Sequence, residues 1–174
     1  MHVSDQPLKR LSGKAWIFFM GAGFCPYCAS ERWAIVRALS IFGRWQCLVD
    51  TTSADHDERY LNISTVDFSK AKYINDHVEF VGRETAYRNF EPVQELDKTG
   101  YEILDALNPD PIIPLLLIDW QFIQTSSGYR PHLLEGMDHA KVKPKLSNPA
   151  SSVSRAISTG SREHYLPYLQ EHMS

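Results

Sequence analysis

The sequence predicts an α/β domain with a central mixed sheet flanked by helices, and three stretches carry that expectation. The first is Ala15-Trp16-Ile17-Phe18-Phe19-Met20, rich in aromatic and branched side chains and short enough for a buried strand. It runs through Gly21-Ala22-Gly23 into Cys25-Pro26-Tyr27-Cys28, and then into a segment without Gly or Pro that Gly43 would stop. The second is Ile112 to Asp119, a continuous aliphatic strand opened by Pro114, where proline is confined to strand starts and edges. The third is the tail, where Asn148 and Pro149 suit the N-cap and first position of a helix carrying Val153, Ala156 and Ile157.

The remaining elements follow from pattern. Ala29 to Phe42 reads as a helix whose apolar stripe is Ala29, Trp33, Val36, Leu39 and Phe42, with Glu31, Arg32 and Arg37 toward the other side. Trp45 to Val49 is a short apolar run, and Thr51 to Glu58 is polar and loop-like. Arg59 to Phe68 alternates, with Leu61, Ile63 and Thr65 on one side, and is expected to be the second strand; His77 to Val81 suggests a further short one. Pro92 to Leu107 carries Val93, Leu96, Ile103 and Leu104 at helical spacing, interrupted by Gly100. Asn108-Pro109-Asp110-Pro111 breaks the chain, and Trp120 to Thr125 can pair back on the Pro114 strand across a turn near Asp119. Lys141, Lys143 and Lys145 surround Pro144 and read as a solvated loop. Residues 1–12 are polar and unpatterned, an N-terminal arm, so a single domain is expected over 13–174.

The C-x-x-C carries the chemistry. At the start of a helix, Cys25 faces free backbone N–H groups and the positive end of the macrodipole, which stabilise a thiolate. A fall in pKa from about 8.5 to about 6.5 would raise the thiolate share at neutral pH from a few per cent to roughly three quarters. Pro26 suits the first helical position because its missing N–H has no partner there. Cys28 stands almost one turn on, close enough to resolve a mixed disulfide formed at Cys25. Phe24 and Tyr27 would line an apolar rim around the sulfurs, or simply pack.

Other readings of the motif are poorer. Zinc needs two more ligands, but Cys47 is the only other cysteine and the seven histidines form no H-x-x-x-H pair, so no metal is expected. A structural disulfide across two intervening residues would add little stability. Cys47, in an apolar run, is expected to be a buried bystander. A formal net charge of −3 gives no electrostatic case for nucleic acid. Lys9, Arg10 and Lys14 precede an apolar stretch ending at Phe24, but bulky Phe24 occupies the place where a cleavage site needs a small residue. No other stretch approaches a membrane span. The chain as given reads as cytoplasmic, with the extracytoplasmic domain of a membrane-anchored parent as the alternative.

The element order, strand, C-x-x-C helix, strand, helical segment, Pro-led strand, strand, helix, is the core order of the thioredoxin fold. The run Gly21 to Ala34 (Gly-Ala-Gly-Phe-Cys-Pro-Tyr-Cys-Ala-Ser-Glu-Arg-Trp-Ala) resembles the thioredoxin-like family catalogued as domain of unknown function 929. Phe42-Gly43, Leu146-Ser147-Asn148-Pro149 and Val153 to Ile157 resemble it as well. The resemblance implies a thioredoxin-like fold, here with a helical insertion and an extended C-terminal helical tail, but no established substrate. Its members often carry an N-terminal membrane anchor. By the same likeness, Pro114 would follow a cis bond and lie against the cysteine pair, and Ile113 would offer its backbone to an extended substrate strand. Classical thioredoxins keep a buried acid on the strand behind the cysteines; here that strand is apolar, and Glu31 is the nearest substitute, ordinarily a solvated helix position. The intervening Pro-Tyr is glutaredoxin-like, yet Ser126-Ser127-Gly128-Tyr129 stands where a Gly-Gly-x-Asp glutathione signature would be. The expected function is thiol–disulfide exchange with protein thiols or disulfides, with no bound cofactor. The alternative is a peptide- or partner-binding module with little turnover. The oligomeric state is not encoded in any motif.

Overall fold

The computed structural model describes residues 13–162 and residue 170. The N-terminal arm expected over residues 1–12, and most of the chain beyond residue 162, lie outside the described residues. Within them the protein is a mixed α/β structure built on a four-stranded sheet and four α-helices.

Strand β1 (Ala15–Gly21) is central in the sheet, and its composition suits burial on both faces. Ile17 and Phe19 point to one face and Phe18 and Met20 to the other, all nearly inaccessible, as a strand buried on both sides requires. Between β1 and the strand that pairs with it in parallel lie helix α1 (Pro26–Leu39) and four short strands: β2 (Arg44–Gln46), β3 (Val49–Thr52), β4 (Ser64–Asp67) and β5 (Lys72–Ile74). These form two antiparallel pairs, β2 with β5 and β3 with β4. Strand β6 (Val78–Glu84) then runs parallel to β1 in the register Ala15 to Val78 through Gly21 to Glu84. Helix α2 (Lys98–Leu107) follows, capped by the Asp97 carboxylate accepting the Gly100 N–H. Strands β7 (Leu115–Ile118) and β8 (Phe122–Gln124) complete the sheet antiparallel, giving the order β6-β1-β7-β8. Helices α3 (His139–Ser147) and α4 (Ser152–Arg162) end the described chain, preceded by a 3-10 turn over Pro131–Leu134.

The sheet is covered on both sides. On one face Ile17, Phe19, Leu116 and Ile118 meet α1, with α3 and α4 adding Val142, Leu146, Val153 and Ile157. On the other face Phe18, Met20, Leu115 and Leu117 meet Ile103 of α2. The turn from β7 to β8 places Asp119 and Trp120 both at positive φ, and the Gln121 N–H returns to the Ile118 carbonyl at 2.9 Å. That is the primed turn whose twist matches antiparallel strands.

Several sequence expectations need correction. The second strand of the main sheet is β6, not the 59–68 segment; only Ser64–Asp67 of that segment is strand, and it pairs with β3. Val49–Thr52 is likewise strand, where the loop was expected to begin at Thr51. The insertion after α1 is therefore built from strands, because Trp45, Phe68, Tyr73 and Phe80 stack into a small aromatic core there. Pro92 to Asp97 is not helical, although Gly100 is tolerated inside α2, where a Cβ would press on Leu96 at 3.1 Å. The lysine-rich segment is helix α3, held by the Asp138 cap and by Val142 and Leu146 buried one turn apart. Asn148 ends that helix instead of starting the next; Ser151 Oγ accepts the Ser154 N–H at 2.9 Å at the start of α4.

Candidate active site

The glycine-containing loop after β1 delivers Cys25 to the N-cap of α1, and everything distinctive about the two thiols follows from that placement. Cys25 has extended backbone (φ −76°, ψ 119°), Pro26 takes the first helical position, and the Cys28 N–H donates to Cys25 Sγ at 3.2 Å. The sulfur thus does the work an Asp or Ser oxygen does at ordinary N-caps. Both thiols are free in this structure and both are buried, Cys25 6% exposed and Cys28 not at all. Cys25 is therefore the more accessible of the pair, although it too is buried.

The acidities of the two thiols are pushed in opposite directions. Cys25 is held below the ordinary thiol value, first by a hydrogen bond from the Cys28 thiol, with the Cys28 and Tyr27 N–H groups and the Arg32 charge adding to it against the penalty of burial. Cys28 is pushed well above the ordinary value, chiefly by burial and then by its bond to Cys25. One thiol is poised to be the thiolate and the other to keep its proton.

Behind the pair lies a buried ion pair that the sequence did not announce. Arg32, 1% exposed, sits one turn after Cys28 on α1, and Glu84, 3% exposed, ends β6. Arg32 Nε donates to Glu84 Oε1 at 2.8 Å and Nη2 to Glu84 Oε2 at 2.6 Å, a bidentate fork. The same Nη2 reaches the Ala22 carbonyl at 2.9 Å. Burial works against the guanidinium charge, but attraction to Glu84 and to both cysteines outweighs it, so Arg32 stays cationic. Arg32 and Glu84 also border an open cleft of about 430 Å³ lined by Gly23, Asp67, Tyr87 and Arg88 among others.

Glu31 is not solvated either. It is fully buried, and its Oε2 accepts the Gly128 N–H at 2.8 Å. Arg37 donates to the Ser154 carbonyl and Ser158 Oγ on α4. Helix α1 is thus buried nearly all round, with its charges answered inside the protein.

The predicted rim residues separate into two aromatic contacts. Phe24 is half-buried and stacks on Phe90 at 4.5 Å between centroids, with His56 beyond Phe90. Tyr27, 37% exposed, meets the edge of Tyr60 at 6.0 Å. Close backbone approach fixes this wall: a Cβ on Gly23 would stand 2.8 Å from Arg88 N and Tyr87 C. Phe90 and Tyr60 come from loops whose sequence gave no sign of a shared surface.

The Ile113–Pro114 bond is cis. Met20 pairs with Leu115, so the next step in the antiparallel register sets buried Pro114 level with Gly21, where the cysteine loop leaves the sheet. A Cβ on Gly21 would lie 3.2 Å from Cys28 Sγ, which ties that strand end to the sulfurs. Ile113 is half-buried and packs against both sheet faces. Cys47 is exposed, not buried as expected: it occupies a left-handed turn residue (φ 57°) between β2 and β3. Among the described residues no group of three or more His, Cys, Asp or Glu side chains gathers as a metal site would require. Nor, among them, is any helix long and apolar enough to cross a membrane.

The family model for a domain of unknown function (DUF929) matches residues 1–120. The chain belongs to that family. The match takes in β1, the two cysteines, Arg32, Glu84 and the cis-proline strand, so every residue of the candidate site lies within it. No curated protein and no solved structure matches the chain.

Proposed function

We infer that this protein is a thiol–disulfide oxidoreductase with a thioredoxin-like core, exchanging its Cys25–Cys28 dithiol with protein disulfides. The observation that carries the reading is the split pair at the N-cap of α1: a Cys25 sulfur that accepts hydrogen bonds beside a Cys28 thiol that donates one. The sheet order β6-β1-β7-β8, with β6 parallel and β7 antiparallel to β1, supports the thioredoxin-like part.

In the reducing direction, the Cys25 thiolate attacks one sulfur of a substrate disulfide; a Cys25–substrate bond forms, and the other substrate sulfur leaves as a thiolate that takes up a proton. Cys28 loses its proton and attacks Cys25 Sγ, which closes the Cys25–Cys28 disulfide and releases the second substrate sulfur, protonated in turn. Two electrons pass from the dithiol to the substrate. The reverse sequence oxidises a substrate dithiol. Phe24 and Tyr27 with their partners Phe90 and Tyr60 offer apolar contact beside Cys25, and Ile113 offers backbone at the Pro114 strand end. That aromatic wall also favours a second reading, a module that holds a partner peptide with little turnover.

Reduction of insulin disulfides with dithiothreitol as the recycling reductant, together with the reduction potential of the pair against a glutathione buffer, separates the two. Catalysed insulin reduction or oxidation of a dithiol peptide supports the exchange activity. A pair that cycles with glutathione but accelerates neither reaction leaves only the binding module.

A further inference from the structure

The Arg32–Glu84 pair stands where an ion pair is costly. Two opposite charges removed from water require good geometry to break even, and nonpolar residues of similar volume commonly serve as well or better. A buried pair of that kind beside two thiols calls for an account beyond packing. The contacts supply one. Two donors converge on the Ala22 carbonyl, the Cys25 N–H at 3.2 Å and Arg32 Nη2 at 2.9 Å, while the N–H of the same residue, in the preceding peptide, is turned toward the Cys28 thiol and eases its ionisation. Arg32 therefore holds the carbonyl of the residue whose backbone serves both cysteines, and it does so from the helix face that carries Cys28, four residues earlier. The guanidinium also lies over the Phe19 ring, its Cζ 5.8 Å from the centroid, which walls this side off from water. Glu84 fixes the fork from the neighbouring strand at the residue paired with Gly21.

Resting on the exchange activity inferred above, we propose that Arg32, locked by Glu84, is a positioning residue of the dithiol: it fixes the Ala22 carbonyl that holds the Cys25 N–H and supplies the positive charge that keeps Cys25 as the attacking thiolate. The charge acts through a dry medium in which it is little screened. The other charged side chains nearby are otherwise engaged. Glu31 accepts from Gly128, Asp67 accepts the Ser69 N–H, and Arg88 donates to Asn62 Oδ1 and the Ser53 carbonyl. Arg32 Nη1 has no hydrogen-bond partner among the described residues.

The test replaces both partners, because one alone would strand a buried charge. In the double variant Arg32→Met/Glu84→Met, checked for wild-type circular dichroism, the midpoint of Cys25 alkylation with pH is expected to rise by about one unit, a roughly tenfold loss of thiolate below both midpoints. Restoring charge in Arg32→Lys with Glu84 intact should recover most of that shift. A folded double variant titrating at the wild-type midpoint overturns the proposal. Should the double variant not fold, the wild-type protein decides: the Arg32 Nε–H nuclear magnetic resonance signal, assigned through Arg32→Lys, should move with the same midpoint as Cys25. A signal that ignores the titration makes the pair purely structural. None of these readouts needs a turning-over enzyme. Failure of insulin reduction would thus remove the proposed activity while leaving the Arg32 coupling measurable.

Discussion

The two ends of helix α1 carry the same side chain in opposite surroundings. At the start, Cys25 and Cys28 are buried, receive backbone N–H groups and face a guanidinium. Past the other end, Cys47 is exposed on a left-handed turn between two short strands. Under the proposed exchange activity, the comparison teaches that thiol reactivity is made by donors and fixed charge, with exposure counting for less. The most exposed sulfur is the one with least machinery around it, whereas at the helix N-terminus hydrogen-bond donors and a guanidinium outweigh the cost of burying a thiolate.

The largest expected effect comes from breaking the active end outright. Cys25→Ser should cut insulin reduction by more than about a hundredfold, since a hydroxyl at the cap cannot attack a disulfide sulfur. Cys28→Ser should instead accumulate a mixed disulfide at Cys25, visible by mass spectrometry under non-reducing conditions. Loss of exchange in Cys28→Ser with no trapped adduct would assign the attack to Cys28 and reverse the comparison.

Arg32→Ala tests the charge beneath the sulfurs. It leaves the Glu84 carboxylate buried and uncompensated, which costs about 3–5 kcal/mol in urea unfolding of the reduced protein. A change below about 0.5 kcal/mol, the ordinary range for surface positions, would show that water reaches the pair.

A pH series sharpens the contrast without mutation. The thiolate is the form above the pKa, so a lowered Cys25 value moves the rise in alkylation rate to a pH below that of a free thiol near 8.5. Cys28, raised by burial, should label only at higher pH than a free thiol. Peptide mapping of partially alkylated protein distinguishes the two. Equal labelling at neutral pH would dissolve the split on which the mechanism depends.

The smallest effect belongs to Cys47. Because it is exposed, Cys47→Ser should change stability by less than about 0.5 kcal/mol and leave exchange intact. An intermolecular adduct through Cys47 that carries activity would give the far end of α1 a function of its own.

The sequence by itself determined the parts of this protein whose signals are local. The aromatic run that becomes β1, the cap-and-proline start of α1 with both cysteines, the β7–β8 pairing and its tight turn were legible because strand period, helix capping and turn chemistry act over a few residues. The cis bond at Pro114 was expected from family likeness and element order, and it is present. Tertiary structure alone decided which strand runs parallel to β1, because the alternating 59–68 segment and β6 offer comparable local patterns and differ only in what they meet across the sheet. It also decided the setting of the sulfurs. Arg32 shares a helix face with Cys28, a spacing visible in the chain, but Glu84 stands 52 residues away. Phe90 reaches Phe24 only through a loop folded onto Gly23. Local propensity cannot encode a buried charge's partner, because the cost of burying it arises only when the strands and helices have closed around it.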